Sequence, residues 1–295
     1  MKNTATSGRE GGFPVITSRS RVAVEPWRLP VAPAPCGIAA DQVRLGGLEV
    51  RAASVVGPGH RAASPGRPRQ DAYRLGRDSA GRYLLAAVAD GMSDSVHSEV
   101  GANVAVAAAI GALRGELDRG VQAPAIDVAR VFLHAAGQMH GVAEQRGWDD
   151  DQVRAVMAVA VIPADPRPDG LRHAWVAGLG DVSAWYRGAG GWMRVLGEGE
   201  RGFDAGKVGD YLPYRPERVT TVQVAIRPGE ALALLTDGIA GAFSHLSGGA
   251  SWFAERWRTP PAVGRFLLDV GFEDVQQHDD RTAVVAWSAD EGPIR

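Results

Sequence analysis

The chain has a single cysteine, Cys36, among its 295 residues. That excludes an intramolecular disulfide framework and any zinc site built from several cysteines. An excess of one charge is also lacking: 32 basic against 34 acidic side chains leave a net charge of −2. Such a chain sets up no long-range field toward nucleic acid or anionic lipid, so neither is expected as a partner. Long apolar runs are scarce. The alanine-rich stretch from Val104 to Leu113 is too short to span a bilayer, and the first residues lack the charged-then-apolar order of a signal peptide. A soluble, cytoplasmic protein is expected.

What is present is 45% hydrophobic residues, enough for the core of one large domain. Residues 1–45 read as a flexible N-terminal extension, because Pro14, Pro26, Pro30, Pro33 and Pro35 interrupt them and no apolar period is sustained. Residues 46–290 read as the folded domain. Strands are expected from Leu48 to Val56, just after Asp71, and from Leu84 to Ala89, a continuous apolar run suited to burial on both faces. Two helices follow, Glu99 to Leu117 with Ser98 as N-cap, and Ile126 to Gln145. Strand patterns then return at residues 153–162, 171–179, 182–187, 192–196, 220–226, 231–235 and 282–287. Strands, two central helices and more strands indicate an α+β domain of layered sheets and helices.

Several carboxylates fall at the ends of these apolar runs. Asp90 follows Val88-Ala89 and Asp237 follows Leu234-Leu235-Thr236, each with a glycine after it. Asp181 lies between two strand patterns, Asp71 just before one, and Asp279-Asp280 just before the last. A carboxylate at a strand end is held firmly yet reaches solvent, and a following glycine lets backbone and ions approach closely. Carboxylates converging in this way repel one another unless a cation neutralises them, and an all-oxygen set favours Mg²⁺ or Mn²⁺.

The segments Gln70-Asp71-Ala72, Val88-Ala89-Asp90-Gly91-Met92, Gly180-Asp181-Val182, Leu234-Leu235-Thr236-Asp237-Gly238 and Asp279-Asp280-Arg281-Thr282 occur in the order of the motifs of type-2C (PPM) metal-dependent protein Ser/Thr phosphatases. The chain resembles that family over about residues 48–288. His60, Gly66-Arg67-Pro68 and Gln70-Asp71-Ala72 make it most similar to the compact bacterial branch. The resemblance implies a β-sandwich flanked by helices in a four-layer α-β-β-α arrangement. It also implies two Mn²⁺ or Mg²⁺ ions, with room for a third. Asp90 and the Gly91 carbonyl, Asp237 and Asp279 would be metal ligands, Asp71 would act through a metal-bound water, and Asp181 would belong to the third ion. Catalysis would rest on Asp71, Asp90 and Asp237. The implied reaction is hydrolysis of phosphoserine or phosphothreonine on a protein substrate, by a water or hydroxide bridging the metals. The alternative is a weakened, phosphatase-like module that binds a phosphorylated partner.

The chain departs from the family pattern at several positions. Gln70 stands where Glu is frequent, which removes a charge beside one ion. Met92 replaces a histidine that is a candidate general acid, leaving His60, His97 or water for that task. Ser93-Asp94 replaces a glycine pair, and Asp280 replaces Asn. The phosphate-gripping arginine of the family is replaced by Gly66, so Arg67 is the first candidate, with Arg69 and Arg61 as alternatives. The acidic run Asp149-Asp150-Asp151 is expected to be a solvated loop, and His134 and His140 do not share a helix face. Trp175, Trp185 and Trp192 are expected on sheet faces or in the core, and residues 197–215 correspond to the family's flap beside the site.

Overall fold

A computed structural model describes residues 13–16, 27–28, 30–31, 35–63, 66–197, 209–244, 248–274 and 277–289. Two antiparallel sheets face each other. The first, of six strands, comprises β1 (Ile38–Leu45), β2 (Leu48–Val55), β7 (Ser183–Gly188), β8 (Gly191–Leu196), β10 (Ala231–Leu235) and β11 (Arg281–Ser288), in the order β1-β2-β11-β10-β7-β8. The second, of five strands, comprises β3 (Ala72–Arg77), β4 (Tyr83–Gly91), β5 (Ala155–Pro163), β6 (Arg172–Leu179) and β9 (Thr220–Ile226), in the order β3-β4-β5-β6-β9.

Helices cover both outer faces. α2 (Ser98–Asp118) and α3 (Val128–Arg146) lie on the five-stranded sheet, while α4 (Asp237–Ser244), α5 (Gly249–Arg256) and α6 (Val263–Val270) lie on the six-stranded one. A short helix, α1 (Pro58–Ala63), follows β2. The four-layer arrangement is therefore the one expected from the sequence.

The period of two in each strand assigns its side chains to layers. In β4, Leu84, Ala86 and Val88 enter the space between the sheets, and Leu85, Ala87 and Ala89 face α2 and α3. In β11, Val284 and Ala286 enter the sandwich while Ala283, Val285 and Trp287 meet α4–α6. Burial on both faces explains why these segments read as unbroken apolar runs. Trp175 and Trp185 are buried and Trp192 packs partly buried against the outer core under α4–α6.

Two expectations need correction. Strand β1 begins at Ile38, inside the segment expected to be a flexible extension, and pairs with β2 at eight positions. It escapes an apolar-pattern reading because it is an edge strand whose outer positions include Asp41, Gln42 and Arg44. The usable signal was Gly46-Gly47, a two-residue hairpin loop with Gly46 at φ 54°. Farther upstream, Val15 bridges Glu273 in parallel, while residues 1–12 and 17–26 lie outside the described set.

Second, Ser98 does not cap α2. His97 takes the N-cap position, and the Ser98 hydroxyl accepts a hydrogen bond from Gln70. The helix expected over Glu99–Leu117 is α2, one residue longer at each end, and by length and apolarity alone it could span a membrane. Its buried face, including Ala102, Ala105, Ala109 and Leu113, packs on the sheet, so it serves as a core helix here.

Candidate active site

The carboxylates come together at one end of the sandwich, where β4 and β10 end and β3 and β11 begin. Asp71, fully buried just ahead of β3, accepts a hydrogen bond from the Thr236 hydroxyl at 2.8 Å through Oδ2. Thr236 in turn accepts from the backbone N–H of Thr282, so the loops before β3, α4 and β11 are tied at one point. Asp90 occupies the penultimate position of β4. Asp237 opens α4, where the helix N-terminus favours negative charge.

The electrostatics record the convergence. Burial raises the pKa of Asp90 well above the carboxylate range, and the charges of Asp71, Asp237, Asp279 and Asp181 add to it. Burial also raises Asp71, with Asp280 and Asp279 contributing. Asp237 is pushed up to about 7 by burial and by Asp279 and Asp181, against hydrogen bonds to Asp90 and to the Gly238 amide. All five expected carboxylates thus sense one another. Asp279 lies in the loop ahead of β11, its side chain 42% exposed.

These residues fit divalent cations. Asp71 Oδ1, Asp237 Oδ1 and Gln70 Oε1 are buried oxygens without a hydrogen-bond partner, a costly state that a bound cation or its water relieves. The donor set is all oxygen, which suits Mg²⁺ or Mn²⁺. Glycines let the backbones close in. A Cβ at Gly91 would stand 2.8 Å from the Gln70 and Ser98 carbonyls, and one at Gly238 would stand 2.0 Å from the Asp280 carbonyl.

Asp280, of undecided role in the sequence, turns out to bracket the site. Its buried carboxylate accepts from the Gly57 and Gln70 amides, both at 2.6 Å, and contacts His60 Nδ1 at 2.8 Å. It therefore fixes the start of α1 and the segment carrying Asp71 against the loop of Asp279. His60 Nε2 lies 3.7 Å from Asp279. Burial opposes the charged form of His60, and the Asp280 hydrogen bond and charge outweigh it, leaving the pKa raised. His60, Asp279 and Asp280 also place possible ligand atoms within 4.8 Å of one another, but Nδ1 is already engaged with Asp280.

The remaining candidates separate cleanly. Arg61 is buried, paired with Glu273 at 2.6 Å and stacked under Trp27. Arg69 donates to the Asp71 carbonyl. Arg67 lines an open cavity of about 330 Å³ together with Gln70, Ser93, Asp94, Val96 and Glu99. Asp94 pairs with Arg154 at 2.9 Å. His97 stacks on Trp148, with ring centroids 3.6 Å apart. Asp150 meets His140, and Asp151 lies beside Arg154, so the acidic run is a surface loop as expected. Of the expected flap, residues 198–208 lie outside the described set. Sequence reasoning missed Thr236 and Ser98 as partners of the site. Thr236 adjoins Asp237, but its bond to Asp71 spans 165 positions and leaves no local trace.

Comparison with known proteins gives a consistent picture. The profile of the family described as Protein phosphatase 2C matches residues 56–268. That match ends before Asp279, whose place at the site rests on the structure. Similar solved structures include PppA, a regulatory component of the type VI secretion system in Pseudomonas aeruginosa (TM-score 0.57, 16% identity, covering 83% of this chain and 99% of that one). The S. agalactiae serine/threonine phosphatase is another (TM-score 0.54, 13% identity, 85% and 99%). RsbX in complex with magnesium is a third (TM-score 0.53, 14% identity, 84% and 98%). At these identities the likeness is one of fold. A comparison with curated proteins gives no match.

Proposed function

We propose that this chain, which belongs to the protein phosphatase 2C family and so to the protein Ser/Thr phosphatases, hydrolyses phosphoserine or phosphothreonine in proteins with the help of two divalent cations. The observation that carries this reading is the cluster of mutually repelling carboxylates with unpartnered buried oxygens on Asp71 and Asp237. A scaffold without a cation has no reason to gather that charge.

Asp90, the Gly91 carbonyl, Asp237 and Asp279 would hold the cations, with Asp71 and Gln70 orienting their water and Asp181 at the periphery. Bound there, Mg²⁺ or Mn²⁺ would supply Lewis-acid activation of a water and neutralise charge on the phosphoryl oxygens. The protein's own work is to hold the carboxylates in place, because burial and mutual repulsion by themselves favour their protonated forms. Thr236 holds one oxygen of Asp71 and leaves the other free, while Asp280 holds the backbone on both sides of the site. Arg67 is the phosphate-gripping candidate, because Arg61 and Arg69 are engaged elsewhere and Arg67 faces an open cavity. In this reading the departing Ser or Thr oxygen takes its proton from solvent: Met92 has none to give, His97 is stacked on Trp148, and His60 is buried with Nδ1 on Asp280 and Nε2 turned to Asp279.

The test is phosphate release from a phosphoserine peptide with Mn²⁺ or Mg²⁺. Activity should disappear in excess chelator and fall by about a hundredfold or more in Asp90→Asn and Asp237→Asn, as expected when charge stabilisation of the transition state is lost. Full activity in chelator or in those variants overturns the reading.

A further inference from the structure

Strand β3 is an edge of the five-stranded sheet, and among the described residues it pairs only with β4. Every second residue of an edge strand presents its amide and carbonyl to the open side. The faces of β3 are assigned by its neighbours. Tyr73 and Leu75 pack into the sandwich, Ala72 faces α2, and a Cβ on Gly76 would press on Ile110 of α2 at 2.8 Å. Arg74, between Ala72 and Gly76, therefore lies on the α2 side and is exposed.

A groove of about 550 Å³ runs along this edge, lined by residues 74–79 and, from α2, by Ala107, Ile110, Gly111 and Arg114. Small residues open it: a Cβ at Gly111 would meet nothing within 4 Å. Its rim is basic. Arg74, Arg77 and Arg114 are exposed, and none of them forms an ion pair among the described residues. Of the acids there, Asp78 is buried and bound to Arg82 and to the Tyr83 amide, and Asp118, exposed at the groove's end near Arg114, accepts from the Ser79 amide and hydroxyl. A chain of net charge −2 thus carries a local positive groove beside unpaired backbone.

A second copy is a poor occupant, because two β3 edges would set arginines against arginines, and facing like charges destabilise a strand pair. An acidic extended segment satisfies both the backbone and the charges. β3 also begins directly after Asp71, so a strand laid on its edge leads to the carboxylate site. We propose that the β3 edge and its arginine-rimmed groove dock an acidic, extended segment of the phosphoprotein substrate as an added strand. The word substrate rests on the phosphatase reading above; the docking itself does not.

The experiment separates the two. Fluorescence anisotropy with metal-free protein measures binding of a labelled, unphosphorylated peptide of alternating Glu and Val, about twelve residues long so that it overhangs the strand. Control peptides replace Glu by Lys, or are a Glu-Glu-Pro-Pro repeat, which keeps the charge and puts proline at both strand parities so that neither edge of the peptide can pair continuously. The Glu-Val peptide should bind, more weakly at high salt, and each control should bind at least about tenfold more weakly. Arg74→Glu/Arg114→Glu, and separately Gly111→Trp, which fills the groove from open space, should each weaken binding about tenfold or more. Both should leave Mn²⁺-dependent hydrolysis of para-nitrophenyl phosphate unchanged. Absence of binding to the unaltered protein overturns the docking proposal. So does equal binding of the proline peptide, which would indicate charge alone, or unchanged binding by the variants. Absence of hydrolysis with binding intact overturns the phosphatase reading instead.

Discussion

Without cations the carboxylate cluster should oppose folding, and the opposition should grow with pH. Asp237 illustrates the size. A rise from 3.8 in the unfolded chain to about 7 in the folded one corresponds to about 4 kcal/mol at a pH above both values. Between those values the folded protein keeps a proton that the unfolded chain has released, so stability falls as pH rises through the window and levels off above it. Asp71 and Asp90 shift in the same direction, for the same reason of burial beside like charges. About 2.7 kcal/mol of the Asp237 effect is lost between pH 5 and pH 7, and for a chain of this size about 1 kcal/mol moves the midpoint by roughly 2–4 °C, so Tm in chelator should drop by roughly 5–10 °C between pH 5 and pH 8. Mn²⁺ would, on the proposed reading, bind the ionised carboxylates. At a hundredfold over its Kd it should add about 2.7 kcal/mol at pH 8 and much less at pH 5. Differential scanning fluorimetry across that pH range, in chelator and in Mn²⁺, reads both effects, and Asp237→Asn should flatten the chelator curve. An equal pH slope in Asp237→Asn, or an equal Mn²⁺ gain at both pH values, would refute the reasoning.

Two further predictions rest on single residues. Asp280→Ala frees the Gly57 and Gln70 amides and His60, so it should weaken Mn²⁺ binding by calorimetry and lower phosphatase activity, although Asp280 is not among the proposed ligands. Wild-type affinity and activity in that variant would count against the bracket. Gly101→Ala places a Cβ 1.8 Å from the Val153 carbonyl, a contact with backbone that cannot yield cheaply, so Tm should fall by several degrees. At Gly111 on the same helix the space is open, and alanine should hold or raise Tm through helix propensity, by up to about 1 kcal/mol.

The layers and the carboxylate cluster were legible in the sequence because both are local signals. Strands such as β4 and β11 are buried on two faces, so their apolar runs are unbroken, and a carboxylate at the end of such a run can be read from its immediate neighbours. On that basis Asp71, Asp90, Asp181, Asp237 and Asp279 could all be named, and the structure gathers them at one end of the sandwich. β9 and β10 fall where their patterns placed them, at 220–226 and 231–235. An edge strand such as β1, half exposed and carrying charge, leaves only its turn as a signal.

Tertiary structure alone decided the roles that depend on partners far along the chain. Asp280 was an extra charge in the sequence and becomes a bracket only when residues 210 and 223 positions away deliver amides to it. Ser98 passed for a helix cap until Gln70 claimed its hydroxyl. Arg67 stood first among three nearby guanidiniums in the sequence, and burial and pairing engage the other two, Arg61 and Arg69. The physical reason is common to all three. A side chain's type and its sequence neighbours fix what it is able to bind, whereas the partner it does bind is chosen by whichever distant group the packing of the two sheets brings within hydrogen-bond reach.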